Sequence, residues 1–113
     1  MNITLATRQT KDVTVLDLSG RLTIGEGVGV VRDTIHDLLA TGQKKLVLNL
    51  AEVSYIDSGG LGGLISARTT VAEQGAKLKL FNLTKRVHDL LRITHTDKIF
   101  EVYQDEAAAL NSF

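Results

Sequence analysis

The chain has 113 residues, of which 43% are hydrophobic, and its 13 basic residues balance its 13 acidic residues. This length suits one domain spanning residues 1–113. The balanced charge argues against the concentrated positive face that binding to nucleic acid requires. The lack of cysteine excludes disulfides, thiol catalysis and cysteine-based zinc sites, and it fits the cytoplasmic location that we expect.

The start of the chain, residues 1–8, alternates like a strand and lacks the basic start and apolar run of a signal peptide. No apolar stretch approaches the ~18 residues of a transmembrane helix, so we expect no membrane insertion. Two strands are predicted at 3–8 and 13–18, joined by a hairpin turn at 10–12. Ser19-Gly20 is expected to end the second strand.

A helical period of apolar residues begins at Val28, and Gly42 stands where a left-handed cap would end that helix. The next strand, 44–50, carries apolar residues on both faces, which is typical of a strand covered by helices. The remaining predicted elements are a helix with an apolar face from Leu61 to Val71, a strand at 77–81, a helix capped by Thr84, a strand at 99–103 and a helix from Asp105 to Leu110.

The order β-β-α-β-α-β-α-β-α predicts an α/β fold with a mixed, mostly parallel sheet and helices packed against it. Binding sites in such sheets lie beyond the carboxyl ends of the strands. The segment at that position reads Asp57-Ser58-Gly59-Gly60. Asp57 is placed to cap the following helix, and Ser58 is expected to be exposed in its first turn. Gly59 and Gly60 would permit an unusual backbone angle and the close approach of another molecule.

The same residues also suit a turn and cap without further function, which would contribute ~1 kcal/mol. Gly62 and Gly63 are harder to explain in this way. Inside a helix each glycine costs ~1 kcal/mol relative to alanine. We therefore expect compensation, either from tight packing against the sheet or from the approach of a partner.

The segment 54–62, Ser-Tyr-Ile-Asp-Ser-Gly-Gly-Leu-Gly, resembles the signature of the STAS domains of bacterial anti-sigma-factor antagonists. The similarity extends over nearly the whole chain, including 46–50, 75–80 and 87–94. The resemblance implies a STAS-like fold and a regulatory protein without enzymatic activity. It also implies that an anti-sigma-type serine kinase binds the unphosphorylated chain and releases it after phosphorylating Ser58, and that a serine phosphatase restores the binding form.

The partner surface implied by the resemblance comprises Thr23, Asp57, Ser58, Gly59, Gly60, Leu61 and Gly62. Two features depart from the family pattern. Gly59 stands where the family often has a second Ser or Thr. The segment Gly20-Arg21-Leu22-Thr23 stands where Gly-Glu-Leu-Asp is common, and it is followed by an unusual glycine-rich run at 25–29.

Two alternatives remain open: an interaction subunit of a sensory or lipid-transport complex that is never phosphorylated, and a small enzyme or ligand-binding domain. Gly25, Gly27 and Gly29 do not form a dinucleotide fingerprint, because Val30 stands where the third glycine belongs. The three histidines lack metal-ligand spacing, and no base is placed by the sequence to activate Ser58. We therefore assign no catalytic residue, metal or cofactor.

Overall fold

The computed structural model describes residues 3–113. Its elements are β1 (Thr4–Thr10), β2 (Val13–Leu22), α1 (Glu26–Ala40), β3 (Lys45–Ile56), α2 (Ser58–Glu73), β4 (Lys77–Phe81), α3 (Lys85–Ile93), a 3-10 turn (Thr96–Lys98), β5 (Val102–Tyr103) and α4 (Glu106–Asn111). The strands form a five-stranded sheet in the order β1-β2-β3-β4-β5. β1 runs antiparallel to β2, and the other neighbours are parallel, which confirms the predicted fold class.

Helices cover both faces of the sheet. Leu46, Leu48 and Leu50 of β3 belong to the larger core cluster, which includes the buried sides of α1, α2 and α3. Val47 points to the other face and joins a smaller cluster with Ala109 of α4. The pattern predicted for this strand, with apolar groups on both faces, is therefore confirmed, and β3 lies at the centre of the fold.

The helix α4 is also held by polar contacts. Arg8 of β1 hydrogen bonds to Asp17 of β2 and to Glu106 of α4, and these hydrogen bonds hold the pKa of each carboxyl below its usual range. On β4, the buried Lys79 Nζ donates to the carbonyl oxygen of Ser112 at 3.0 Å. The small second face of the sheet is thus stabilised by charged and polar side chains as well as by apolar packing.

Three predicted strands extend further along the chain in the structure. β1 runs past Arg8 to Thr10, so the turn predicted at 10–12 occupies only Lys11 and Asp12. β2 continues past Ser19 and Gly20 to Leu22, so the prediction that these residues end the strand was wrong. β3 likewise continues past Leu50 to Ile56. Shifts in the β2–β3 register, at 17/19 and 20/21, absorb extra residues of β3 and let the pairing resume. Both strands therefore reach the same edge of the sheet.

The last predicted strand, 99–103, was wrong in its first half, and only Val102–Tyr103 pairs with β4. His95 adopts a left-handed conformation with φ 60°, and the amide of Ile99 donates to the carbonyl of Thr96. This 3-10 turn brings Phe100 into the core, so burial favours the turn over a longer strand. α1, which lies between β2 and β3, begins at Glu26, two residues before Val28, the first residue of the apolar period.

The predicted starts of α2, α3 and α4 and the predicted end of α1 are confirmed. Asp57, Thr84 and Asp105 each accept a hydrogen bond from the backbone amide three residues later, as capping residues do. Gly42 and Gly75, beyond the ends of α1 and α2, have positive φ angles of 92° and 73°. Within residues 3–113, no helix is both long enough and apolar enough to cross a membrane.

Candidate functional site

The site lies at the carboxyl ends of β2 and β3. Leu22, the last residue of β2, is opposite Ile56, the last residue of β3. The amide of Asp57 then donates to the carbonyl oxygen of Leu22 at 3.4 Å. The loop after β2 and the start of α2 are therefore neighbours, which places the segment beginning at Asp57 where open α/β sheets usually carry their sites.

Asp57 caps α2. Its Oδ1 atom accepts from the amide of Gly60 at 2.7 Å, and its carbonyl oxygen accepts from the amide of Leu61 at 2.9 Å. Ser58 is the first residue of the helix and is exposed, as predicted. The cap fixes the backbone on both sides of Ser58, so the hydroxyl stands on a rigid element and remains accessible to another protein.

The fold of the chain requires a glycine at position 60, because a side chain there would collide with the end of β2. A Cβ built on it would lie 2.8 Å from the carbonyl carbon of Leu22 and closer still to its oxygen. The end of β2 cannot move away from Gly60, because Leu22 is paired with Ile56 of β3. The expected unusual backbone angle was wrong, because neither Gly59 nor Gly60 has a positive φ. The close approach at Gly60 is therefore made by β2.

Gly59 leaves room for Ile24 in the loop between β2 and α1. A Cβ on Gly59 would lie 2.5 Å from the Cβ of Ile24 and 3.3 Å from its Cα. Ile24 is 74% exposed, so this large apolar side chain is displayed beside the start of α2. Ile24 was missed in the sequence. The sequence feature that could have identified it is a large apolar residue in the loop between Thr23 and Gly25, outside the helical period of α1.

Gly62 and Gly63 differ in what surrounds them. A Cβ on Gly63 would lie 2.7 and 2.8 Å from the two methyl carbons of Val28, whereas one on Gly62 would meet nothing within 4 Å. The compensation at Gly63 is thus packing against α1, not against the sheet as expected. Gly62 is exposed, and packing within residues 3–113 supplies no reason for a glycine there.

The other predicted contact residues divide by burial. Leu61 is 5% exposed and belongs to the core, while Thr23 is partly buried and its carbonyl accepts from the amide of Val28 at 3.1 Å. Gly60 and Leu61 are therefore buried beneath the surface and pack against the rest of the chain. We call the accessible part the Ser58 face, which comprises Thr23, Ile24, Asp57, Ser58, Gly59 and Gly62.

A second feature lies on the same edge of the sheet. Arg21 of β2 is opposite Tyr55 of β3, and its guanidinium carbon is 4.6 Å from the centroid of the tyrosine ring. The guanidinium carbon of Arg86, in the first turn of α3, is 5.3 Å from the same ring. We call these three residues the arginine–tyrosine cluster. Tyr55 and Arg86 were missed in the sequence, because their meeting depends on strand register and on the position of α3.

Within residues 3–113, no cluster of three His, Cys, Asp or Glu side chains is placed to hold a metal ion. His36, His88 and His95 are exposed. An open groove of about 260 Å³ lies between α1 and α2, bordered by Val28 and Gly63. Two more open depressions are larger, one of about 510 Å³ between α3 and β5 and one of about 390 Å³ beside the end of α2.

Comparisons with known proteins agree on one family. The STAS domain model matches residues 4–109. The anti-sigma-B factor antagonist of Bacillus subtilis is 31% identical over 102 residues, which cover 90% of this chain and 92% of the relative. An anti-sigma factor antagonist structure from Mycobacterium paratuberculosis has a TM-score of 0.82 at 22% identity, covering 97% and 92% of the two chains. Bacillus SpoIIAA in its phosphorylated form has a TM-score of 0.72 at 17% identity, covering 97% and 100%; both structures are similar in fold.

Proposed function

The chain belongs to the STAS domain family, and we propose that it acts as an anti-sigma-factor antagonist whose binding is switched by phosphorylation of Ser58. The observation that carries the proposal is the position of this serine, which is exposed at the start of α2 directly after the capping residue Asp57. In the proposal, the unphosphorylated Ser58 face binds an anti-sigma-type serine kinase. Binding releases a sigma factor, so transcription is regulated indirectly.

Phosphorylation at this position should leave the fold intact. A phosphate adds a charge of about −1.5 to −2, and the start of a helix tolerates such an anion. Asp57 is already engaged with the amide of Gly60, so the cap need not open. The phosphorylated form of SpoIIAA has the same fold. The new charge instead acts outward, where it repels a partner surface that accommodates Asp57 and a neutral hydroxyl.

The exposed Gly62 favours a partner that binds on the side of α2 that carries Ser58. It lies one turn beyond Ser58, it is exposed, and its missing side chain leaves open space. A glycine in a helix costs ~1 kcal/mol relative to alanine. The close approach of a partner's backbone would account for this cost. The partner in the proposal is the kinase itself, with a serine phosphatase acting on the modified form, and the setting is the cytoplasm.

The proposal is tested by incubating the purified chain with ATP and, in turn, with each anti-sigma-type serine kinase encoded in the same genome. We expect the mass gain of one phosphate, retained in Ser66→Ala and lost in Ser58→Ala; Ser66 is a second exposed serine of α2. Ser58→Asp should weaken kinase binding while the circular dichroism spectrum stays native. Unchanged affinity of Ser58→Asp would contradict the switch.

The same experiment separates the alternatives. Kinase or other protein binding without any modification of Ser58 would favour an interaction subunit of a sensory or transport complex. Substrate turnover, or small-molecule binding in the groove between α1 and α2 without a protein partner, would favour an enzyme or ligand-binding domain.

A further inference from the structure

The arginine–tyrosine cluster presents positive charge in a fixed arrangement. Tyr55 is partly buried between β2 and α3, while the side chains of Arg21 and Arg86 are exposed. Each guanidinium lies over the tyrosine ring, at 4.6 and 5.3 Å from its centroid. Such stacking restrains the arginine and leaves the N–H groups at the rim of its plane free to donate.

The two arginines carry uncompensated charge. Among residues 3–113, neither forms an ion pair with a carboxylate, whereas the neighbouring Lys85 is paired with Asp89 at 2.8 Å. The chain as a whole has no net charge, so attraction of a partner's carboxylates has to come from local charges such as these two. Restrained guanidinium groups bind carboxylates through paired hydrogen bonds and lose little freedom in doing so.

The cluster is continuous with the Ser58 face. Arg21 directly precedes Leu22, whose carbonyl lies against Gly60. Tyr55 of β3 is two residues before Asp57, the capping residue of α2. All three cluster residues lie at the carboxyl ends of the parallel strands or in the loop–helix segment that follows. A protein that covers Ser58 and extends along this edge of the sheet will therefore reach the two arginines.

We infer that Arg21 and Arg86 bind carboxylates on the surface of the kinase and thereby determine which kinase the chain recognises. The inference rests on the proposed function, because it concerns the same partner. A protein surface is a better occupant than a free anion, since both arginines are open to solvent and a surface bearing several carboxylates can cover both. Opposite charges placed in this way accelerate association and disfavour partners that carry positive charge at the same position.

The test compares two double variants with the same change in net charge. Arg21→Glu with Arg86→Glu reverses the cluster, and Arg32→Glu with Arg68→Glu reverses two exposed arginines on α1 and α2. The association rate with the kinase that phosphorylates the parent is measured at low and high salt. We expect the cluster variant to associate about 10- to 100-fold more slowly at low salt and to lose most of the salt dependence, and the control to stay within about twofold.

Circular dichroism establishes that each variant is folded, and Arg21→Gln with Arg86→Gln replaces the glutamate pair if it is not. Equal rates for the cluster and control variants, with Ser58 still phosphorylated, would overturn the inference and leave the proposed function intact. If no kinase binds the parent chain, the proposed function and the inference that rests on it are both wrong. In a separate titration, inorganic phosphate that shifts the Arg21 and Arg86 Nε–H NMR signals, with kinase binding unaltered in the cluster variant, would assign a free-anion site and also overturn the inference.

Discussion

Gly60 and Gly62 are two residues apart in α2 and face opposite environments. Gly60 is buried against the end of β2, whereas Gly62 is exposed to open space. The same residue type therefore serves the fold at one position, and at the other has no role within the described chain. The difference separates two sides of one helix, an inner side that holds the sheet and α1 together and an outer side available to a partner.

This separation means that stability and binding should respond to different substitutions. A side chain added on the inner side must displace β2, α1 or the loop between them. A side chain added on the outer side has room in the free protein and should interfere only in a complex. Substitution of the four glycines of this segment therefore tests the comparison directly.

The largest effect is expected for Gly60→Ala. The new methyl group would collide with the carbonyl of Leu22, and this strand end is held by pairing with Ile56. We expect a loss of about 3 kcal/mol in the free energy of unfolding, measured by urea denaturation, and a greater loss for Gly60→Val. A variant that unfolds at the same urea concentration as the parent would show that β2 does not constrain the helix.

A smaller loss is expected for Gly63→Ala. The methyl group would meet the two methyl carbons of Val28 at 2.7 and 2.8 Å, which costs about 1–3 kcal/mol, partly offset by the ~1 kcal/mol that alanine contributes to a helix. Val28→Ala removes the obstructing methyl groups, so the double variant should recover the cost of the collision. Strictly additive losses in this double-mutant cycle would contradict the packing of α2 on α1 described above.

Gly59→Ser should destabilise the fold by about 1 kcal/mol, because its Cβ would meet a residue in a loop that can move. The collision involves the Cβ and Cα of Ile24, so Ile24→Ala should not relieve it, whereas Ile24→Gly should relieve most of it. Urea denaturation of the single and double variants measures this coupling. Equal relief by both substitutions at Ile24 would mean that the loop is not seated on Gly59.

The smallest effect on the fold, and one of opposite sign, is expected for Gly62→Ala. An alanine here meets no neighbour, so helix propensity should stabilise the free protein by up to ~1 kcal/mol. Kinase affinity should nevertheless fall, by about tenfold if the collision costs ~1.4 kcal/mol. Ser66→Ala, on the same helix, serves as the control. A Gly62→Ala variant that is more stable and binds equally well would remove the outer side from the proposed interface.

The helix ends were predictable because their chemistry is local. Asp57, Thr84 and Asp105 each bond an amide three residues later, so the sequence around each contains both partners. The ends of β2 and β3 were not predictable, because the pairing continues through register shifts between the two strands. Such shifts depend on both strands and cannot be inferred from Ser19 and Gly20 alone. The same holds for 99–103, where the burial of Phe100 decides in favour of a turn.

Sequence alone determined the α/β order, the capping of α2 by Asp57 and the exposure of Ser58, since these follow from periodicity and from contacts within one turn of chain. Tertiary structure alone decided which glycine faces β2, which faces α1 and which faces solvent. It also placed Ile24 over Gly59 and brought Arg86 to the ring of Tyr55. These contacts join elements that are distant in the chain, and their geometry depends on strand register and helix packing, which no single segment encodes.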